Sequence, residues 1–136
     1  MRKIAPLHAD AQRVQEIIAE LEKGVAPPVP VPQMRALMRE RSRRLAADPP
    51  AVGEVENSII VNDGCRVPVR IYHPLGAEGG RRPAYIHAHG GGFVVGDLDM
   101  ADTVCSTICR DAGIVVISVD YRLPPHHKFP AGPDDV

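Results

Sequence analysis

Residues 83–97 read PAYIHAHGGGFVVGD, and this stretch decides the fold. Its first part, residues 83–88, is short and apolar, which predicts a buried strand. Gly90, Gly91 and Gly92 follow directly, and an apolar stretch begins again at Phe93. Because glycine has no Cβ atom, the backbone can bend there and bring successive N–H groups close to a ligand.

The residues on either side of this stretch alternate between strand and helix patterns. Residues 98–112 are predicted to form a helix, and the continuous apolar run 114–119 (IVVISV) is typical of a parallel strand covered on both faces. Upstream, residues 54–61 and 66–73 flank a turn that contains Asp63-Gly64, which predicts a β-hairpin. The pattern indicates an α/β fold.

The N-terminal part reads as two helices, over residues 8–23 and 33–47, joined by a proline-rich, extended connector at residues 25–32. The second helix carries five arginines against one glutamate. Two interpretations stay open for its charge. It is either a solvated helix face or a docking face for an acidic partner.

A second motif stands about two dozen residues after the glycines. Residues 118–131 read SVDYRLPPHHKFPA. Together with residues 87–97 (HAHGGGFVVGD), they resemble the two signature blocks of the hormone-sensitive-lipase-like α/β-hydrolases, in which the second block is usually SVDYRLAPEHPFPA. Pro125 and His126 depart from the usual Ala-Glu, and Gly132-Pro133 stand where the family tends to continue a helix.

The resemblance implies the N-terminal part of an α/β-hydrolase fold. Residues 1–50 would hold cap-like helices, and residues 51–136 would form the first half of the core, with about four strands of the central sheet in the order 1-2-4-3. The family's serine lies in a G-x-S-x-G turn, and this sequence contains no such motif. We therefore expect an incomplete fold, with the serine, the acid and the histidine of the triad beyond residue 136.

The resemblance also assigns roles within the glycine stretch. It implies that Gly91 and Gly92 are oxyanion-hole donors and that His89 and Gly90 shape their loop. The complete enzyme would hydrolyse small-molecule carboxylic esters through a serine acyl-enzyme, with no cofactor and no metal. This chain alone is expected to be inactive. The alternative is a non-catalytic truncated or split-gene fragment that pairs with another chain.

Three other chemistries compete with this interpretation. The glycine spacing is one residue too long for a dinucleotide fingerprint, and Asp97 stands where a phosphate loop needs lysine. His87 and His89 share one strand face and resemble a zinc pair, but the glycines occupy the positions of further ligands. Asp120 follows a strand, so it is either a general base or, as the family implies, part of a block that braces the loops.

The amino-acid composition limits the classes of binding partner and the cellular compartment that we expect. The 136 residues carry a net charge of −1 and no tryptophan, which indicates no nucleic-acid partner, and no apolar segment is long enough for a membrane span. Three scattered cysteines favour a reducing, cytoplasmic compartment. The strand at residues 83–89 would lack its next neighbour, so we expect an open edge through which the chain self-associates.

Overall fold

A computed structural model of the chain describes residues 12, 16, 29–62, 64–76 and 81–136. The helix expected over residues 8–23 lies outside the described residues, apart from Gln12 and Glu16, and so does the first half of the proline-rich connector, residues 25–28. The described elements are α1 (Val31–Leu45), β1 (Glu54–Asn62), β2 (Cys65–His73), β3 (Ala84–Ala88), α2 (Leu98–Ala112), β4 (Val115–Val119) and α3 (Ala131–Asp134).

The described strands form one mixed sheet in the order β1-β2-β4-β3. β1 and β2 are the predicted hairpin, paired antiparallel from Glu54 opposite His73 to Asn62 opposite Cys65. β4 runs antiparallel to β2 and parallel to β3. The predicted α/β class, hairpin and strand order are therefore confirmed.

The core lies on both faces of β4, as its continuous apolar run predicted. On one face, Val116 packs with Tyr72 and with Ala101, Cys105 and Cys109 of α2. The helical residues are four apart, so they form one stripe of the helix surface. On the other face, a second cluster packs around the strand end, formed by Val67, Val69, Val119 and Tyr121.

β3 differs from its prediction as a buried strand. Tyr85 and Ile86 are 43% and 53% exposed. β3 pairs with β4 along one edge only, and among the described residues no strand pairs with its other edge. An apolar run marks a strand that is suited to burial, but burial itself requires neighbours on its faces and edges.

α1 begins at Val31, two residues before its predicted start, so residues 31–32 belong to the helix and not to an extended connector. Pro32 fits because the amides of a first helical turn have no partner within the helix, and a missing N–H costs nothing there. α2 agrees with its predicted bounds. Its first turn is capped by the Asp97 carboxylate, which accepts a hydrogen bond from the Met100 amide at 3.0 Å.

The topology places the two sequence motifs beside each other. The glycine stretch follows the end of β3, and residues 120–122 follow the end of β4. Because β3 and β4 are adjacent and parallel, both segments leave the sheet at the same edge.

Candidate active site

The glycine stretch forms a tight turn directly after β3. The amides of Val94 and Val95 both donate to the carbonyl oxygen of Gly91, at 3.0 and 3.1 Å. Gly91 and Gly92 have φ angles of 134° and 60°, and Phe93 follows at 57°. Three successive residues with positive φ reverse the chain within a few ångströms, which only glycine-rich sequences do at low cost.

Within this turn, two glycines are required by close contacts. A Cβ atom on Gly91 would lie 2.0 Å from the carbonyl oxygen of Val95. A Cβ atom on Gly96, whose φ is 117°, would lie 2.1 Å from Nδ1 of His89. At Gly90 an added Cβ would meet nothing within 4 Å. The steric demand for glycine therefore falls on positions 91 and 96, and Gly96 is a structural residue that the sequence analysis missed.

The backbone amides of Gly91 and Gly92 are available as hydrogen-bond donors in this turn. Within the described residues, neither donates a hydrogen bond, although the carbonyl of Gly91 accepts two. Both residues line a cavity of about 520 Å³. Phe93, Tyr121 and Pro133 contribute to its walls, so the cavity is mainly apolar around a few backbone donors. This combination is usual for a small-molecule site.

His89 is buried beside the turn and contacts both the turn and Tyr121. Its ring stacks on Tyr121, with centroids 4.2 Å apart and planes inclined by 17°. Nδ1 lies 3.1 Å from the carbonyl oxygen of Gly90. Since a carbonyl only accepts, Nδ1 is the protonated nitrogen in this contact. Nε2 is buried and has no hydrogen-bond partner in the described part of the chain.

Tyr121 connects the two motifs. Its hydroxyl donates to the carbonyl oxygen of His89 at 2.6 Å. Phe93 packs edge-on against the same ring, at a centroid distance of 5.9 Å and an angle of 64°. Gly132 of α3 also lies close to it, since an added Cβ there would be 3.3 Å from the ring. The ring is therefore held by contacts with the turn and with α3.

Arg122 links the segment after β4 to Asp135, which follows α3. Its amide and its guanidinium donate to both carboxylate oxygens of Asp135, at 2.8 to 3.0 Å. The side chain of Asp135 is only 1% exposed. The hydrogen bonds from Arg122 hold the pKa of this carboxyl below its usual value. Tyr121 and Arg122 thus brace the loops, which is the role that the resemblance implied for this block.

Asp120 does not join the bracing contacts through its side chain. Its amide donates to the carbonyl oxygen of Pro68 at 2.9 Å. Its carboxyl is half-buried, and this burial raises its pKa. It lines a separate polar cleft of about 540 Å³, with Arg39, Arg70 and Asp97, and not the cavity beside the glycines. The geometry therefore gives Asp120 no place as a general base beside the glycine turn.

The histidines are distributed over different environments. His87 is half-buried on β3, and burial together with the neighbouring His89 lowers its pKa. His126 and His127 are exposed on the segment after β4. Among the described residues, no group of three or more histidine, cysteine or acidic side chains is arranged to hold a metal ion.

The arginine-rich helix α1 contacts the site through its arginines, a role that neither interpretation of its charge included. Arg35 donates to the carbonyl oxygens of Val94 and Pro124. Arg39 pairs with Asp97 at 2.5 Å. Burial opposes the charge of Asp97, but hydrogen bonds from the Met100 amide and from Arg39 outweigh it and lower the pKa of the carboxyl. The spacing of the two arginines by one helical turn was the available signal.

Comparison with known proteins agrees with the fold and the motifs. Residues 85–136 match the family of the alpha/beta hydrolase fold. A carboxylic ester hydrolase of Mycobacterium tuberculosis, LipN, is 49% identical over 69 residues, covering 51% of this chain and 18% of that protein. An ethyl acetate hydrolase of Pseudomonas putida is 41% identical over 91 residues, covering 66% of this chain and 28% of that protein.

A solved structure extends the similarity over nearly the whole chain. The hyperthermophilic esterase of Pyrobaculum calidifontis superposes with a TM-score of 0.75 at 36% identity, covering 96% of this chain and 41% of the esterase. The chain thus spans less than half the length of each of these relatives. The fold, the glycine turn and these matches show that the chain belongs to the α/β-hydrolase family, in its group of hormone-sensitive-lipase-like esterases.

None of the helices described here is long and apolar enough to cross a membrane.

Proposed function

We propose that this chain supplies the oxyanion loop of a carboxylic ester hydrolase, with the amides of Gly91 and Gly92 as the donors. The observation that carries the proposal is the state of these two amides. They have no partner among the described residues and they belong to the wall of an apolar cavity. Both residues are exposed at the cavity wall, so their N–H groups are accessible, and an oxyanion that binds there would accept hydrogen bonds from them.

The surrounding contacts support this chemistry. In ester hydrolysis, the carbonyl oxygen gains negative charge as the nucleophile attacks, and preorganised N–H groups stabilise that charge more strongly than water does. The turn is held by the hydrogen bonds to Gly91 and by the stack of His89 on Tyr121, so the donors need no rearrangement during the reaction. The reaction requires neither cofactor nor metal, and a small-molecule ester is the proposed substrate.

We assign no nucleophile within these 136 residues. The sequence contains no G-x-S-x-G turn, so a serine and its partners must be supplied by other residues. We therefore propose that these 136 residues alone have no serine-dependent esterase activity.

A chimera tests the proposal. Residues 1–136 are joined to the remaining C-terminal part of the Pseudomonas putida ethyl acetate hydrolase, and turnover of p-nitrophenyl acetate is measured. We expect an active enzyme in which Gly91→Ala keeps the N–H group but displaces it, because the new Cβ would lie 2.0 Å from the Val95 carbonyl oxygen. The displacement should lower kcat by about 10²- to 10³-fold, the usual cost of losing one oxyanion donor. Gly90→Ala is the matched control, since its added Cβ meets open space.

A folded, active chimera in which Gly91→Ala and Gly90→Ala have the same kcat would refute the oxyanion assignment. Robust p-nitrophenyl ester turnover by the isolated chain, abolished by a serine-directed fluorophosphonate, would instead refute the proposed inactivity of these 136 residues. The chimera's dependence on its own nucleophile is checked with the same reagent.

A second candidate function is non-catalytic pairing with another chain. It is favoured by the outer edge of β3, one of the two edge strands of the described sheet, where Ile86 is 53% exposed. Unpaired strand edges with apolar side chains bind further strands. We propose that the isolated chain self-associates through residues 83–89.

Sedimentation velocity tests this pairing. We expect the parent chain to form dimers or larger species, and Ile86→Lys to shift it towards monomer, because a charged side chain on an edge opposes strand addition. Ile60→Lys is the control, since Ile60 is similarly exposed, at 48%, but lies on β1. A parent chain that sediments as a monomer, or equal effects of the two substitutions, would exclude pairing through β3.

A further inference from the structure

Helix α1 reaches the glycine turn through one arginine. Arg35 donates from Nε to the carbonyl oxygen of Val94 at 2.8 Å. The same guanidinium donates from Nη2 to the carbonyl oxygen of Pro124 at 2.6 Å. These acceptors lie 59 and 89 positions away in the sequence, on two different segments.

Both acceptors belong to the segments that enclose the glycine cavity. Val94 is one of the two residues whose amides close the turn on Gly91. Pro124 lies two residues after Arg122, in the segment that continues from the Tyr121 brace to α3. A single planar guanidinium therefore spans the turn and the brace. Arginine suits this role because its rigid fork presents several donors at once.

Arg39 adds a second contact one helical turn later. It pairs with Asp97, whose carboxylate also caps the first turn of α2. Beyond the arginines, Thr103 of α2 donates to the carbonyl oxygen of Ala47 at 2.9 Å. No residue of α1 is fully buried, so polar contacts carry much of its attachment to the rest of the chain.

We propose that Arg35 is a positioning residue that fixes the glycine turn from the N-terminal helix. It touches no substrate and acts through the Val94 carbonyl on the turn that orients the Gly91 and Gly92 amides. Its effect on catalysis rests on the proposed oxyanion function, but its effect on the turn does not. The arginines of α1 thereby divide into two that contact the segments around the site, Arg35 and Arg39, and three that are exposed, Arg41, Arg43 and Arg44.

Hydrogen exchange of the full chain tests the proposal. The readout is the exchange of the Val94 and Val95 amides, which are protected by their bonds to Gly91. We expect Arg35→Gln to accelerate their exchange by about tenfold, the effect of losing a charge-assisted hydrogen bond at a partly exposed site. The amides of the β1–β2 hairpin should exchange at unchanged rates.

Two further variants sharpen the comparison. Arg41→Gln removes the same charge from the same helix, and Arg41 makes no hydrogen bond or ion pair within the described residues, so we expect parent-like exchange. Arg35→Lys keeps the charge but not the fork, and should give intermediate rates. Parent-like exchange in Arg35→Gln, or equal acceleration in Arg41→Gln, would overturn the proposal.

If Arg35→Gln unfolds the chain, so that the hairpin amides also exchange faster, the Arg35→Lys variant is used to test the proposal. Parent-like protection of Val94 and Val95 in that variant would then overturn the need for the fork. In the active chimera, Arg35→Gln should lower kcat more than it changes KM, with partial rescue by lysine. If Gly91→Ala leaves the chimera fully active, the oxyanion function fails while the exchange result still decides the role of Arg35.

Discussion

Gly96→Ala is expected to destabilise the chain strongly although it adds only one methyl group. The new Cβ would lie 2.1 Å from Nδ1 and 2.4 Å from Cε1 of His89, and 2.8 Å from the carbonyl oxygen of Gly90. No Cβ atom occupies such positions, so either the turn or the histidine ring must move. Moving the ring breaks its stack on Tyr121.

The magnitude follows from two separate costs. A non-glycine residue held at a φ of 117° costs about 1–3 kcal/mol. Forcing an extra methyl group into a packed contact costs a further ~1–3 kcal/mol. We therefore expect the free energy of unfolding to fall by roughly 2–6 kcal/mol, against a typical domain stability of about 5–15 kcal/mol.

Urea unfolding followed by far-UV circular dichroism measures this effect, with Gly90→Ala as the matched control. Gly90 has no positive φ and open space at its Cβ, so its substitution should change the stability by less than about 0.5 kcal/mol. Because the clash involves His89, the cost of Gly96→Ala should shrink by about 1 kcal/mol or more in a His89→Ala background. Equal unfolding midpoints for Gly96→Ala and Gly90→Ala would refute the reasoning.

Two further predictions concern the braces of the site. Tyr121→Phe removes the donor to the buried His89 carbonyl and should cost about 1–3 kcal/mol in urea unfolding, whereas Tyr85→Phe, on the exposed face of β3, should cost little. Asp135 has a folded-state pKa below its unfolded value, so its contribution to stability is present above pH ~4 and is lost as the pH falls through the folded-state pKa. Asp135→Asn should therefore weaken the fall in the free energy of unfolding below pH ~4. The control, Asp48→Asn at an exposed position, should leave that fall unchanged. The same pH dependence in both variants would contradict the role of the hydrogen bonds from Arg122.

The sequence predicted the elements that depend on neighbouring residues. The two strands of the hairpin, the helix after Asp97 and the apolar strand before Asp120 were all located to within two residues. These signals are local, since they arise from backbone preference and from the period of apolar side chains. The strand order came from the resemblance of two motifs to a known family and was confirmed.

The prediction for β3 shows the limit of such patterns. The sequence correctly indicated a strand, but its residues are exposed because no described strand covers its outer edge. Similarly, the glycine run identified the turn, yet it did not separate Gly90, which has open space, from Gly96, which contacts His89. Contacts of this kind depend on how a loop folds back on itself.

The amino-acid sequence by itself determined the class of the fold, the strands β1 to β4, the helices α1 and α2, and the bend that exposes the amides of Gly91 and Gly92. Tertiary structure alone decided that Arg35 reaches Val94 and Pro124 and that Asp135 receives the Arg122 fork. The physical reason is distance along the chain. Periodicity and turn chemistry act over a few residues, whereas these hydrogen bonds join atoms that only the packed sheet and helices bring within 3 Å of each other.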